Sequence, residues 1–232
     1  MKLPFLGALA VACAAALPTA GAVQASAPCG APGYSYAGLL GTPGISQYGI
    51  VASLTTLSPP TVEGGHVAAW VGVGGPYEGP NGTPEWLQVG VNSAKGGSGN
   101  HLYYEYARPG SGVTYVDLKT DVPTGTAVRV SVLQAAEGRD NWRVWVNGQA
   151  VSGVINLPGS HGRLTPVATA ESWDGGSGAC NRYSYRFDGV NVSSRLGGRW
   201  GPFTRSVIRR DFGQALMGSR LSFVARGGPS GQ

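Results

Sequence analysis

Along most of this chain apolar and polar residues alternate in short runs, and no stretch keeps a helical period over three turns. Ile50, Ala52 and Leu54 alternate with Val51, Ser53 and Thr55. That pattern predicts a strand over 48–57, with Pro59-Pro60 as its end. His66 to Val73 is a continuous apolar run, the pattern of a strand covered on both faces. Strands follow over 86–92, 101–107 and 113–118, separated by a loop at 74–84, a Gly/Ser turn at 95–100 and Pro109-Gly110. Val128, Val130 and Val132 alternate with Arg129 and Ser131, which reads as a half-exposed strand. Asn147-Gly148 between two β-rich runs predicts a hairpin with a type I′ turn. Further strands are expected over 164–171, 182–192 and 219–225, whereas Ala31 to Gly44, rich in Gly and Pro, reads as an arm or loop. Strands at this spacing predict an all-β fold, an antiparallel jelly-roll β-sandwich.

Composition supports that class. The 232 residues include 39 Gly and 16 Pro, and only 12% are charged, which suits many short strands joined by tight turns. Six Trp and ten Tyr make the chain too aromatic for disorder. Lys2 followed by an apolar Leu3 to Leu17 reads as a secretion signal, with cleavage expected after Ala25-Ser26-Ala27. Residues 1–27 are therefore the signal peptide, 28–193 the β-sandwich domain and 194–232 a basic C-terminal extension. The Ala/Gly/Arg bias reads as bacterial, so the sequons at Asn81 and Asn191 carry no weight. Cys29 and Cys180 remain in the mature chain, and export makes them candidates for one disulfide. Such a bridge is worth about 4 kcal/mol in the chain-entropy picture.

The net charge of +5 is uneven: from Arg195 onward there are seven arginines and one acid, Asp211. The tail lacks a dense basic block with interleaved aromatics, so it reads as a solvated edge and not as a nucleic-acid surface. After signal cleavage no membrane segment is expected, and the chain reads as a secreted, extracellular monomer. No cofactor or metal is called for. His66, His101 and His161 show no ligand spacing, and there is no G-x-S-x-G elbow or P-loop.

One strand carries an unusual group. Gln88 lies inside Glu85-Trp86-Leu87-Gln88-Val89-Gly90-Val91, where its amide is costly to bury without partners. With Ala69-Trp70-Val71-Gly72-Val73 upstream, and Tyr104-Glu105-Tyr106 and Glu171 downstream, the chain resembles the glutamic peptidases, or eqolisins. The blocks A-W-V-G-I, L-Q-T-G-V, W-Y-E-W-Y-P and A-E-W-I-V-E of that family fall on these segments. The likeness runs from about Tyr34 to Val192. Gly74 and Ala107 depart from it, standing where the family carries Asp and Tyr. The resemblance implies a concanavalin A-like sandwich and hydrolysis of peptide bonds. Gln88 and Glu171 would be the catalytic pair, and Trp70, Trp86, Tyr104, Glu105 and Trp173 would line the substrate groove.

Each assignment has a plainer reading: the aromatics pack the core, Gln88 satisfies backbone groups, and Glu171 caps the turn after it. Glu105 would hold Gln88 or a substrate amide, or else pair with Arg108 or Arg182. Two further functions stay open. One is a lectin-like sandwich that binds extracellular glycan or peptide without catalysis. The other is a glycoside hydrolase using Glu105 and Glu171.

Overall fold

A computed structural model describes residues 33–174, 180–211 and 213–228. The expected signal peptide and Cys29 lie outside the described residues. The strands are β1 (Tyr34–Gly41), β2 (Gly49–Thr61), β3 (His66–Gly75), β4 (Glu85–Ala94), β5 (Asn100–Ala107), β6 (Thr114–Val122), β7 (Ala127–Gln134) and β8 (Asn141–Val146). They continue with β9 (Gln149–Ala150), β10 (Ile155–Asn156), β11 (Pro166–Trp173), β12 (Arg182–Ser193), β13 (Trp200–Pro202), β14 (Ser206–Arg210), β15 (Gln214–Gly218) and β16 (Ser222–Gly227). Two antiparallel sheets form a sandwich. One runs β14-β1-β11-β3-β4-β5-β6, and the other runs β10-β8-β7-β2-β12-β16-β15, with β9 and β13 attached to β8 and β12. Among the described residues no helix is long and apolar enough to cross a membrane.

The period of two decides which face each residue takes. In β3, Val67, Ala69, Val71 and Val73 are buried in the core between the sheets. Leu87, Val89 and Val91 do the same from β4. The opposite faces of these strands form the concave side of the seven-stranded sheet. The continuous apolar run of β3 has a specific cause there. Its groove-side positions Ala68 and Gly72 are small, which leaves a floor beneath larger neighbours. Gly90 extends that floor: a Cβ on it would lie 2.6 Å from Trp70 Cβ.

Three expectations change. The arm expected over 31–44 contains β1, which sits between β11 and β14. Ala37 and Leu39 alternate into the core, a signal hidden by the surrounding Gly and Pro. β2 does not stop at Pro59-Pro60 but runs to Thr61. Its pairing with β7 ends at Thr55, and its register with β12 shifts between Ser58 and Thr61, so neither proline is needed as a ladder donor. The C-terminal stretch supplies four strands, not one. β14 pairs with β1, β13 with β12, and β15 and β16 close the second sheet. The hairpin at Asn147-Gly148 has positive φ at both residues (49° and 82°), as a type I′ turn requires.

Candidate active-site groove

The concave face encloses a cavity of about 760 Å³. Register fixes what enters it. Glu171 on β11 stands across from Ala68 on β3 and from Tyr36 on β1. Gln88 on β4 stands across from Gly72 on β3 and from Glu105 on β5. All three predicted polar residues therefore project from one face, and all three line the cavity. Glu171 and Gln88 are almost fully buried, at 6% and 8% exposure.

Their partners are separate. Glu171 Oε2 accepts from Trp70 Nε1 at 3.1 Å, and Glu171 Oε1 lies 2.9 Å from His66 Nε2. Gln88 Nε2 donates to the Tyr103 hydroxyl at 3.2 Å. Glu171 and Gln88 share no hydrogen bond, and their register partners, Ala68 and Gly72, are separated by three residues of β3. Each carboxylate oxygen of Glu171 keeps lone-pair capacity beyond its present bond. The bonds these side chains make run to other side chains of the groove: Gln88 to Tyr103, and Glu171 to His66 and Trp70.

Glu105 is not paired with Arg108 or Arg182. Arg108 instead lies over the Tyr106 ring, 5.2 Å from its centroid. Burial raises the Glu105 carboxyl above its ordinary value, and the charge of Glu171 adds to this. The Trp86 side chain and His66 act in the opposite direction. Tyr103 is raised well above the phenol range, again chiefly by burial and then by Glu171 and Glu105. At the groove edge Tyr115 is pushed up to about 12, with burial the largest cause. The groove thus gathers phenols that hold their protons and one carboxyl, Glu105, that burial and the charge of Glu171 make harder to ionise.

Trp70 and Trp86 line the cavity. Trp173 stands at the rim, 36% exposed, with its ring against His66 and Tyr34 (centroids 5.4 and 6.3 Å apart). Tyr104 is a correction. It pairs with Val89, so the alternation turns it away from the groove and onto the core, where it stacks on Tyr106. Its neighbour Tyr103 takes the groove position.

Sequence reading missed His66, Tyr36, Tyr103 and Arg209. For His66 the signal was present, since it shares the even-numbered face of β3 with Trp70. Tyr36 and Arg209 were hidden in segments read as arm and tail. Arg209 covers the Tyr36 ring at 4.4 Å and bonds Asp211, whose Oδ2 accepts from the Tyr36 backbone N–H at 2.9 Å. The tail thereby builds one wall of the groove.

The departures at Gly74 and Ala107 have local causes. Gly74 has φ +87°, and a Cβ there would run into the carbonyl oxygen of Glu85. Ala107 is buried directly across from Trp86, whose ring occupies that end of the groove.

No protein-family model and no curated protein matches the chain. Among solved structures it is similar to scytalido-glutamic peptidase bound to a peptide-based transition-state analogue, with 18% identity and a TM-score of 0.55 over 84% of this chain and 97% of that one. It is also similar to SCP-B, a member of the eqolisin family of peptidases, in complex with the tripeptide Ala-Ile-His. There the identity is 16% and the TM-score 0.52, over the same shares of the two chains. The fold is that of the glutamic peptidases.

Proposed function

We propose that this protein is a secreted acid endopeptidase that cleaves polypeptides with Glu171 and Gln88. The reading is supported chiefly by one observation: the two residues, drawn from separate strands, meet the same buried groove on the concave sheet. Glu171 takes a proton from water as the water oxygen attacks the peptide carbonyl. The C=O electrons move onto oxygen, and the Gln88 amide donates to that oxyanion. Collapse breaks the C–N bond, and Glu171 returns the proton to the departing amine. The groove's small floor residues leave room for an extended chain over β3 and β4, between the aromatic walls.

A binding role without catalysis is the second reading. It is favoured by Gly74, whose backbone leaves no space for the acidic side chain that the resembled family carries there. The deciding experiment incubates purified protein with denatured casein across acid to neutral pH, beside a panel of soluble polysaccharides. Peptide release confined to acid pH is the expected result. Retention on a polysaccharide or peptide column with no release at any pH would favour binding, and sugar release would favour a glycoside hydrolase.

A further inference from the structure

The groove gives Glu171 a partner that the glutamine–glutamate reading leaves without a task. Ala68 is the register partner of Glu171, and His66 and Trp70 are its two nearest same-face neighbours on β3. The methyl of Ala68 lets the glutamate side chain lie over the strand between them. Trp70 reaches Oε2 from one side, and His66 reaches Oε1 from the other. The His66 side chain is 29% exposed while that of Glu171 is 8% exposed, so the imidazole links a buried carboxylate to the open groove. Its ring is braced against Trp173, two residues beyond Glu171 on the same face.

We propose that His66 is a positioning residue of the groove: its Nε2–H donates to Glu171 Oε1 and, with Trp70, holds the carboxylate plane in one orientation. A glutamate's terminal torsion is soft and roughly two-fold. One donor on Oε2 still allows the plane to swing. A second donor on the other oxygen, four residues away along the same rigid strand, stops it. A buried carboxylate also needs more than one donor to offset its lost hydration. The bond stands on geometry alone, whereas its effect on turnover rests on the proposed peptidase function.

Two variants separate positioning from mere packing. His66→Phe keeps a ring against Trp173 and removes the donor, while His66→Gln restores an N–H of similar reach. On a casein-derived peptide His66→Phe is expected to lower kcat about 10- to 100-fold with KM changed by less than about threefold, because a misoriented base costs turnover more than affinity. His66→Gln should recover most of that loss. A His66→Phe kcat equal to wild type, or a Gln variant as slow as the Phe variant, would overturn the proposal.

A second measurement is independent of activity. Long-range ¹H–¹⁵N spectra of the histidine rings at neutral pH should show His66 as the Nε2–H tautomer in wild type, and as a tautomer mixture in Glu171→Ala. A wild-type ring protonated on Nδ1 alone, with Nε2 bare, overturns the bond whatever the protease assay gives. A protein that cleaves nothing yet shows the Nε2–H tautomer, lost in Glu171→Ala, would sink the peptidase reading and keep the His66 bond.

Discussion

Gln88 and Glu105 face each other directly across β4 and β5, so the amide proposed to meet the oxyanion shares a cross-strand pair with the groove's second carboxyl. Burial, and then the charge of Glu171, make that carboxyl harder to ionise. Both side chains line the same cavity. That pairing sets the first prediction.

Glu105 has a folded value raised above its ordinary 4.5. Between that value and the raised one, the folded protein keeps a proton that the unfolded chain has lost. Its contribution to stability is therefore complete below the unfolded value and is lost as pH rises through the folded value. Glu105→Gln cannot ionise and escapes that loss. Its Tm should gain on wild type as pH rises from the ordinary value through the raised one, and show no such pH-dependent gain at lower pH. Calorimetric scans across that range check it, and a Tm difference that does not change with pH would mean that burial places no cost on the ionised carboxylate.

Substitution at the proposed pair should separate chemistry from fold. Glu171→Gln is expected to abolish casein cleavage with the fold retained by circular dichroism. Gln88→Ala should lower kcat at least about 10²-fold if its amide meets the oxyanion. Peptide release that survives both changes would place the chemistry elsewhere.

Gly74→Asp restores the acidic residue of the resembled family, yet it should harm this protein. A side chain at φ +87°, against the Glu85 carbonyl, must move the start of β4. A loss of about 1–3 kcal/mol in urea unfolding is expected, with no gain in activity. A stable and faster variant would show that the turn relaxes freely.

Gly159→Ala tests the buried Glu85, both of whose carboxylate oxygens accept from the Gly159 backbone N–H at 3.0 Å. A Cβ on Gly159 would run into Glu85 Oε2 and stand 2.5 Å from Pro80 Cδ, so the loop must leave its acceptor. Unfolding should become easier by several kcal/mol, since a fully buried carboxylate would lose its donor.

The bridge proposed between Cys29 and Cys180 is tested by mass spectrometry of non-reduced tryptic peptides. A single linked peptide is expected, and free thiols at both positions would rule it out.

Much of the sandwich was legible because most of its strands are periodic. Gln88 stood out as a buried amide in an apolar strand, and Asn147-Gly148 marked its hairpin outright. The rest was lost for physical reasons. β1 alternates over only a few residues between glycines and prolines. β14 and β15 are edge strands whose solvent-accessible residues, such as Arg209 and Arg210, resemble a solvated tail. Tyr104 and Tyr103 are adjacent aromatics, and only the register with β4 shows which of them faces the groove. His66 was set aside as a failed metal ligand, although its spacing from Trp70 already placed the two on one face.

β1 lies between β11 and β14, so residues 34–41 find their strand partners only at 167–173 and 206–210. Contacts this distant in sequence form slowly, because a long loop must close before any of them contributes. Tyr36 therefore waits for Glu171, and both wait for Arg209. A growing chain holds no finished groove until almost its last strands exist, so a fragment cut short before β14 would carry Glu171 and Gln88 without the wall that encloses them.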